Sequence, residues 1–148
     1  MGVTYRNGMA QQPHLILCVD DELVGLRIRK ILLERAGYRV LTAPNGTDGL
    51  ALFSSEPIEA VVLDYSMPGM DGGEVAERMR QIKPATPILL LSAYIGLPVE
   101  VLSRVDLYMT KGEGAPMLLS KLENLLQTAH AAAGSATKRE HSEFKPIQ

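Results

Sequence analysis

The chain has 148 residues, 46% of them hydrophobic and 22% charged, with a formal net charge of −2 and one cysteine. That size and balance suit one soluble domain with a sizeable core, and slight acidity gives no electrostatic basis for a direct nucleic-acid partner. No stretch approaches membrane-spanning length, the N-terminus lacks a signal peptide's apolar segment, and Cys18 inside an apolar run fits a reducing cytoplasm. Met1-Gly2 looks like the start of a myristoylation signal, but position 6 is Arg where Ser or Thr is needed.

Residues 1–13 read as a disordered tail. Leu15 to Val19 is the first apolar run, and it ends in Asp20, Asp21 and Glu22. A helix follows from Leu23 to Ala36, with Val24, Ile28, Ile31 and Leu32 as its apolar face and Gly37 as its C-cap. One of the two aspartates is expected to cap that helix. Tyr38 to Thr42 is a second strand. After Pro44-Asn45-Gly46 comes a short helix with Gly46, Gly49, Leu50 and Phe53 on one face, stopped by Pro57. Ala60 to Leu63 is wholly apolar, with two β-branched valines, so it reads as a strand buried on both faces. Asp64 stands at its mouth, and Pro68, Gly69 and Gly72 make the loop that follows.

Val75, Met79 and Ile82 recur at helical spacing, and Pro84 and Pro87 close that helix. Ile88 to Leu91 is a fourth strand, ending in Ser92. A short helix over about 98–104 holds Val99 and Leu102. Leu107 to Met109 is a weak fifth strand before Thr110 and Lys111. Gly112 and Gly114 turn the chain into a last helix lined by Leu118, Leu122, Leu125 and Leu126. Residues 14–128 form the folded domain, and 129–148 read as a helix end and a disordered tail from Gly134 onward. There is no internal repeat. Strand and helix alternating five times imply an α/β fold, a doubly wound five-stranded parallel sheet with five helices.

In open α/β sheets, ligands bind beyond the carboxyl ends of the strands. The residues just past the strands are Asp20 and Asp21, Asp64, Ser92 and Lys111. Clustered carboxylates repel unless protonated or joined by a cation. Oxygen ligands in an open cleft suit Mg²⁺ better than a caged Ca²⁺, and they exclude zinc, since His14 lies at the wrong end of its strand. A hard cation, an amine and a hydroxyl around an acid are the means of handling a phosphoryl group. Mg²⁺ and Lys111 would neutralise its oxygens and Ser92 would donate to one of them. Asp64, the lone acid at the central strand end, is then the candidate nucleophile, forming an aspartyl phosphate.

In these residues the chain resembles a two-component response regulator receiver domain from about Leu15 to Leu126. The motifs are Asp20-Asp21, Asp64 with Met67-Pro68-Gly69-Met70-Asp71-Gly72, Ser92-Ala93, and Tyr108 three residues before Lys111. The resemblance implies the flavodoxin-like receiver fold and phosphoryl transfer to Asp64 from a histidine kinase, a phosphotransfer protein or a small donor. It implies Mg²⁺ held by Asp21, Asp64 and the Ser66 backbone carbonyl, with Asp20 acting mainly through a water. Ser92 and Lys111 would hold the phosphoryl oxygens, and Tyr108 would swing inward as Ser92 moves. That change would remodel the face of the fourth helix, fifth strand and fifth helix for a downstream protein partner, with homodimers possible. The protein would be a cytoplasmic phosphoprotein without membrane attachment, assisting only its own phosphorylation and dephosphorylation and so no enzyme. Ser66 and Tyr94, two residues past Asp64 and Ser92, are positions that tune dephosphorylation in the family.

Two features depart from the family. It usually has proline after the lysine, with a cis bond between them, whereas Gly112 follows Lys111 here. A cis bond without proline costs about 3 kcal/mol, so this turn is expected to be built differently. The segment from Ser92 to Tyr108 is also short, which shortens the fourth helix. They keep open an alternative, a receiver-like scaffold that is not phosphorylated. An aspartate-nucleophile phosphatase ranks lower, because such enzymes resemble Asp-x-Asp and position 66 is Ser.

Overall fold

The computed structural model describes residues 4–6 and 9–143, with side chains over 12–132. The apolar runs become strands β1 (Leu15–Val19), β2 (Arg39–Ala43), β3 (Ala60–Asp64), β4 (Ile88–Ser92) and β5 (Leu107–Thr110). All neighbours pair in parallel, in the order β2-β1-β3-β4-β5. Helices α1 (Leu23–Arg35), α2 (Gly46–Ser55), α3 (Gly72–Ile82), α4 (Val99–Leu102) and α5 (Ala115–Glu143) lie between and after them.

The central strands are apolar throughout because each face supplies a separate core. Leu17, Val19, Val61, Leu63 and Leu90 pack with Phe53 of α2 and with Val75 and Met79 of α3. The alternate residues Ile16, Cys18, Val62, Leu89 and Leu91 pack with Leu26 and Leu33 of α1 and Leu118 and Leu122 of α5. The chain steps from β1 outward to β2, then returns past β1 to β3. The topological switch point therefore lies between the carboxyl ends of β1 and β3, where Asp20 and Asp64 stand.

Helix α1 differs from the sequence reading. Val24, Ile28 and Ile31, expected in the core, are 70%, 62% and 45% exposed, whereas Leu26 and Leu33 are buried. Its inward stripe is Leu26, Arg29 and Leu33, spaced i, i+3 and i+7, and the charge in the middle disguises it. Neither Asp20 nor Asp21 is its N-cap. That position is Glu22, which makes no side-chain capping bond, while Asp20 accepts from the Glu22 backbone N–H at 3.0 Å.

The fourth helix is one turn, Val99–Leu102, shorter than the expected 98–104. Its buried residue is Val101, and Val99 is exposed. Arg80 of α3 fastens the far end of this segment, donating to the Arg104 carbonyl at 3.0 Å and pairing with Asp106. Ile82 is also exposed, so the core face of α3 is Val75, Ala76 and Met79.

After β5 the peptide bonds are trans, and Lys111–Glu113 make a 3₁₀ turn. The Glu113 carboxylate accepts from the Thr110 backbone N–H at 2.7 Å and from its hydroxyl at 3.3 Å, so a capping box stands where the family uses proline. Helix α5 continues through Gly134 to Glu143 instead of ending in a tail. Its helix-favouring Ala131, Ala132, Ala133, Ala136, Lys138, Arg139 and Glu140 carry it. Within the first thirteen residues, also read as a tail, Thr4–Arg6 and Met9–Gln11 pair as antiparallel strands. Residues 1–3, 7–8 and 144–148, the rest of those two expected tails, lie outside the described residues.

Candidate functional site

The rim of the sheet is built by strand ends. Asp20 follows β1 directly, Asp64 and Ser92 close β3 and β4, and Lys111 follows β5. Register aligns them, with Asp64 opposite Leu91 and Ser92 opposite Thr110. The loop after Asp64 folds back tightly, and Gly72 donates its N–H to the Tyr65 carbonyl at 2.7 Å. A Cβ at Gly72 would lie 2.5 Å from the Asp64 carbonyl oxygen and 2.7 Å from the Tyr65 Cα. Only glycine lets α3 begin against the strand that carries the acid. Asp71 caps α3, accepting from the Glu74 N–H at 3.0 Å.

The structure brings Asp20, Asp21, Asp64 and Lys111 together. Asp20, Asp21 and Asp64 each offer an oxygen, all within 4.8 Å of one another. Asp20 and Asp64 are buried and Asp21 is exposed, so the cluster opens on the Asp21 side. The Lys111 ammonium lies 2.9 Å from Asp64 Oδ1 and 3.3 Å from Asp20 Oδ2. Burial pushes the Asp64 carboxyl up to about 6. Lys111 opposes the rise and the charges of Asp20 and Asp21 add to it. Burial pulls Lys111 down, but Asp64 and Asp20 outweigh it and leave the ammonium above its ordinary range.

An all-oxygen donor set, open on one side, fits a hard divalent cation of the Mg²⁺ type. Both Asp20 oxygens are already engaged. Oδ1 accepts from Glu22 N–H, and Oδ2 from Lys111 and from Arg29 Nη1 at 3.2 Å. Asp21 and Asp64 are therefore the freer ligands. Arg29, 11% exposed, is the charged residue sequence reasoning missed. Its position three residues after Leu26 and four before Leu33 on the inward stripe was the available signal.

Ser92 is buried at its strand end, and its hydroxyl accepts from the Tyr94 N–H at 3.0 Å. Among the described residues it has no hydrogen bond to the carboxylates. The Tyr108 hydroxyl donates to the Tyr94 carbonyl at 2.6 Å, tying β5 to the loop after β4. The Tyr94 side chain itself faces outward, 66% of the residue being exposed, and Ser66 is exposed beside Asp64. The site thus sets a buried carboxylate beside cations that can neutralise an oxyanion arriving at it.

A family model for the response regulator receiver domain matches residues 16–123. The alkaline phosphatase synthesis transcriptional regulatory protein PhoP of Bacillus subtilis is 34% identical over 128 residues, covering 82% of this chain and 52% of its own. The chain spans about half the length of the first curated relatives it matches. The crystal structure of a CheY-like response regulator receiver domain protein from Methanospirillum hungatei superposes with a TM-score of 0.78 at 28% identity, covering 81% of this chain and 98% of that one. Response regulator protein TrrA from Thermotoga maritima, in complex with Mg²⁺-BeF, gives a TM-score of 0.73 at 35% identity, over 76% and 98% of the two chains.

Proposed function

The chain belongs to the response regulator receiver family, a family of signalling domains, and on that premise we propose that it is a phosphorylation-controlled switch with Asp64 as phosphoacceptor. The observation that carries this reading is the Lys111 ammonium 2.9 Å from a buried acid at the switch point of the sheet. Asp64 attacks phosphorus as the bond to the donor's leaving group breaks. Lys111 and Ser92 then hold the phosphoryl oxygens. Asp21, Asp64 and the Ser66 carbonyl would hold Mg²⁺, with Asp20 acting through a water. When bound, the ion neutralises charge developing on the transferring group. Tyr108, joined to Tyr94 and so to Ser92, would report that change to the face of α4, β5 and α5, which a downstream protein reads.

The donor is a histidine kinase or phosphotransfer protein, and the exposed aliphatic stripe of α1 beside the rim supports protein docking there. Residues 14–128 would be the folded unit. A buried Cys18 thiol, pushed up to about 12 chiefly by burial, is inert and suits a cytoplasmic setting. No helix among the described residues is long and apolar enough to cross a membrane. Ser66 and Tyr94 would set the phosphoryl lifetime, read from its decay once the donor is removed.

Acetyl phosphate with Mg²⁺ tests the reading. One base-labile phosphoryl adduct at Asp64, detected by intact mass and absent in Asp64→Asn, is the expected result. The one-turn α4 favours the scaffold as second reading, and a wild-type chain that never gains phosphate would select it. Mg²⁺ should also raise the melting temperature by mass action, since it binds the folded acids and not the unfolded chain. Asp21→Ala should remove most of that shift, and a full magnesium response in the variant contradicts these ligands.

A further inference from the structure

The acidic rim carries a second permanent cation that the phosphoryl-handling set does not use. Arg29 reaches Asp20 from beneath, between Leu26 and Leu33 on the inner face of α1. Its bond is to Asp20 Oδ2, the same oxygen that Lys111 approaches at 3.3 Å. Lys111 therefore divides itself between Asp20 and Asp64, while Arg29 is committed to Asp20. An arginine keeps its proton under all physiological conditions, so this charge is fixed.

We propose that Arg29 is a resident counter-charge which releases Lys111 from Asp20, so that the ammonium can follow a phosphoryl group arriving on Asp64. This rests on the phosphoacceptor reading of Asp64. Asp20 is 1% exposed, and a buried carboxylate stripped of a cation is costly. With Arg29 absent, Asp20 would hold Lys111 back. With Arg29 present, Asp20 stays neutralised whether Lys111 is there or not. Lys111 is 30% exposed and borders a cleft of about 280 Å³ with Asp20, Arg29, Leu91, Met109 and Leu118, so its side chain is not packed in place.

The same fixed charge acts on everything else at the rim. It opposes a divalent cation held by these acids and favours an anionic donor approaching them. Its removal therefore moves two readouts in opposite directions, which loss of packing alone does not do.

The test compares wild type with Arg29→Met, which fills similar space without charge, and Arg29→Lys. Mg²⁺ affinity is measured by calorimetry on the unphosphorylated protein, and phosphoryl uptake from acetyl phosphate at saturating Mg²⁺. Arg29→Met should bind Mg²⁺ roughly three- to tenfold tighter and take up phosphoryl slower by a similar factor. Arg29→Lys should return both toward wild type. Unchanged or weaker Mg²⁺ binding in Arg29→Met, or an unchanged uptake rate, overturns the proposal. Where Arg29→Met is unfolded without the ion, its melting temperature across a Mg²⁺ titration replaces calorimetry. A larger shift than wild type supports the proposal and an equal or smaller one overturns it. Should even the wild type gain no phosphate, the phosphoacceptor reading fails, and with it the release of Lys111. The magnesium arm then decides only whether Arg29 acts as a counter-charge.

Discussion

Asp64→Asn should abolish phosphoryl uptake and, without metal, make the protein more stable at neutral pH. The first effect follows from chemistry, because an amide is not a nucleophile toward phosphorus under these conditions. The second follows from burial, which pushes the Asp64 carboxyl up to about 6 from its ordinary 3.8. Below about pH 4 the acid is protonated both folded and unfolded, and it costs nothing. Between about 4 and 6 the unfolded chain ionises first, so stability falls as pH rises. Above about 6 the cost is complete. The gap between 3.8 and 6 corresponds to about 3 kcal/mol. Solvent reaching the open rim screens it to the order of 1–2 kcal/mol. Melting curves should therefore diverge between pH 4 and 6, the variant ending several degrees higher at pH 7. Mg²⁺ should close that difference by stabilising only the wild type. A variant that still gains phosphate at position 64, or melts below wild type at pH 7 without metal, contradicts the assignment.

The strand ends were legible in the sequence because a buried parallel strand must be apolar on both faces and then stop. Each of Asp20, Asp64 and Ser92 interrupts such a run at the same topological level, and Lys111 follows the weaker run Leu107–Met109 after Thr110. A polar residue directly after four or five apolar ones has few other places to be. Helix α1 was not legible for a related reason. Its core stripe holds Arg29, and a periodicity reading discards a stripe broken by a charge. Val24, Ile28 and Ile31 form the cleaner apolar pattern, yet they face outward. What turns Arg29 inward is its pairing with Asp20, nine residues away in sequence, and local patterning carries no account of that pair.

The turn after Lys111 shows the same limit. Gly112 signalled that the usual proline-bearing turn is absent, but not what replaces it. The replacement is Glu113, whose carboxylate gathers the N–H and hydroxyl of Thr110 and lies 3.6 Å from Lys121 on α5. The Thr110–Glu113 spacing was the visible half of a capping box, and only the fold shows that it closes. At the other end of the fold, the length of α5 was underestimated because Gly134 reads as a stop. One glycine costs about 1 kcal/mol relative to alanine, which the alanines around it offset.

Lys111→Ala should give the mirror image of Asp64→Asn, slowing phosphoryl uptake steeply and lowering stability. The ammonium sits 2.9 Å from Asp64 Oδ1, where the first oxygens of an incoming phosphoryl group must come. Losing one such pre-placed charge typically costs about 10²–10³ in rate, and uptake from acetyl phosphate should fall within that range. Stability should fall because Asp64 loses its cation, while Asp20 keeps Arg29. Breaking a buried pair costs about 3–5 kcal/mol, but Lys111 is 30% exposed and Asp64 can escape by taking up a proton. The loss at pH 7 is then about 1–2 kcal/mol. The sign with pH is fixed on both sides. The folded-state value of Lys111 is raised, so its contribution is complete at neutral pH in the wild type and vanishes only in alkali. Asp64 without its cation titrates higher still, so the variant should lose stability over a window extending above pH 6. Mg²⁺ affinity should rise, since a competing cation has gone. Stopped-flow uptake, melting curves from pH 4 to 8 and a magnesium titration read the three effects. Wild-type uptake in the variant rules out Lys111 as a phosphoryl ligand, and weaker Mg²⁺ binding gives it a structural role in shaping the metal site.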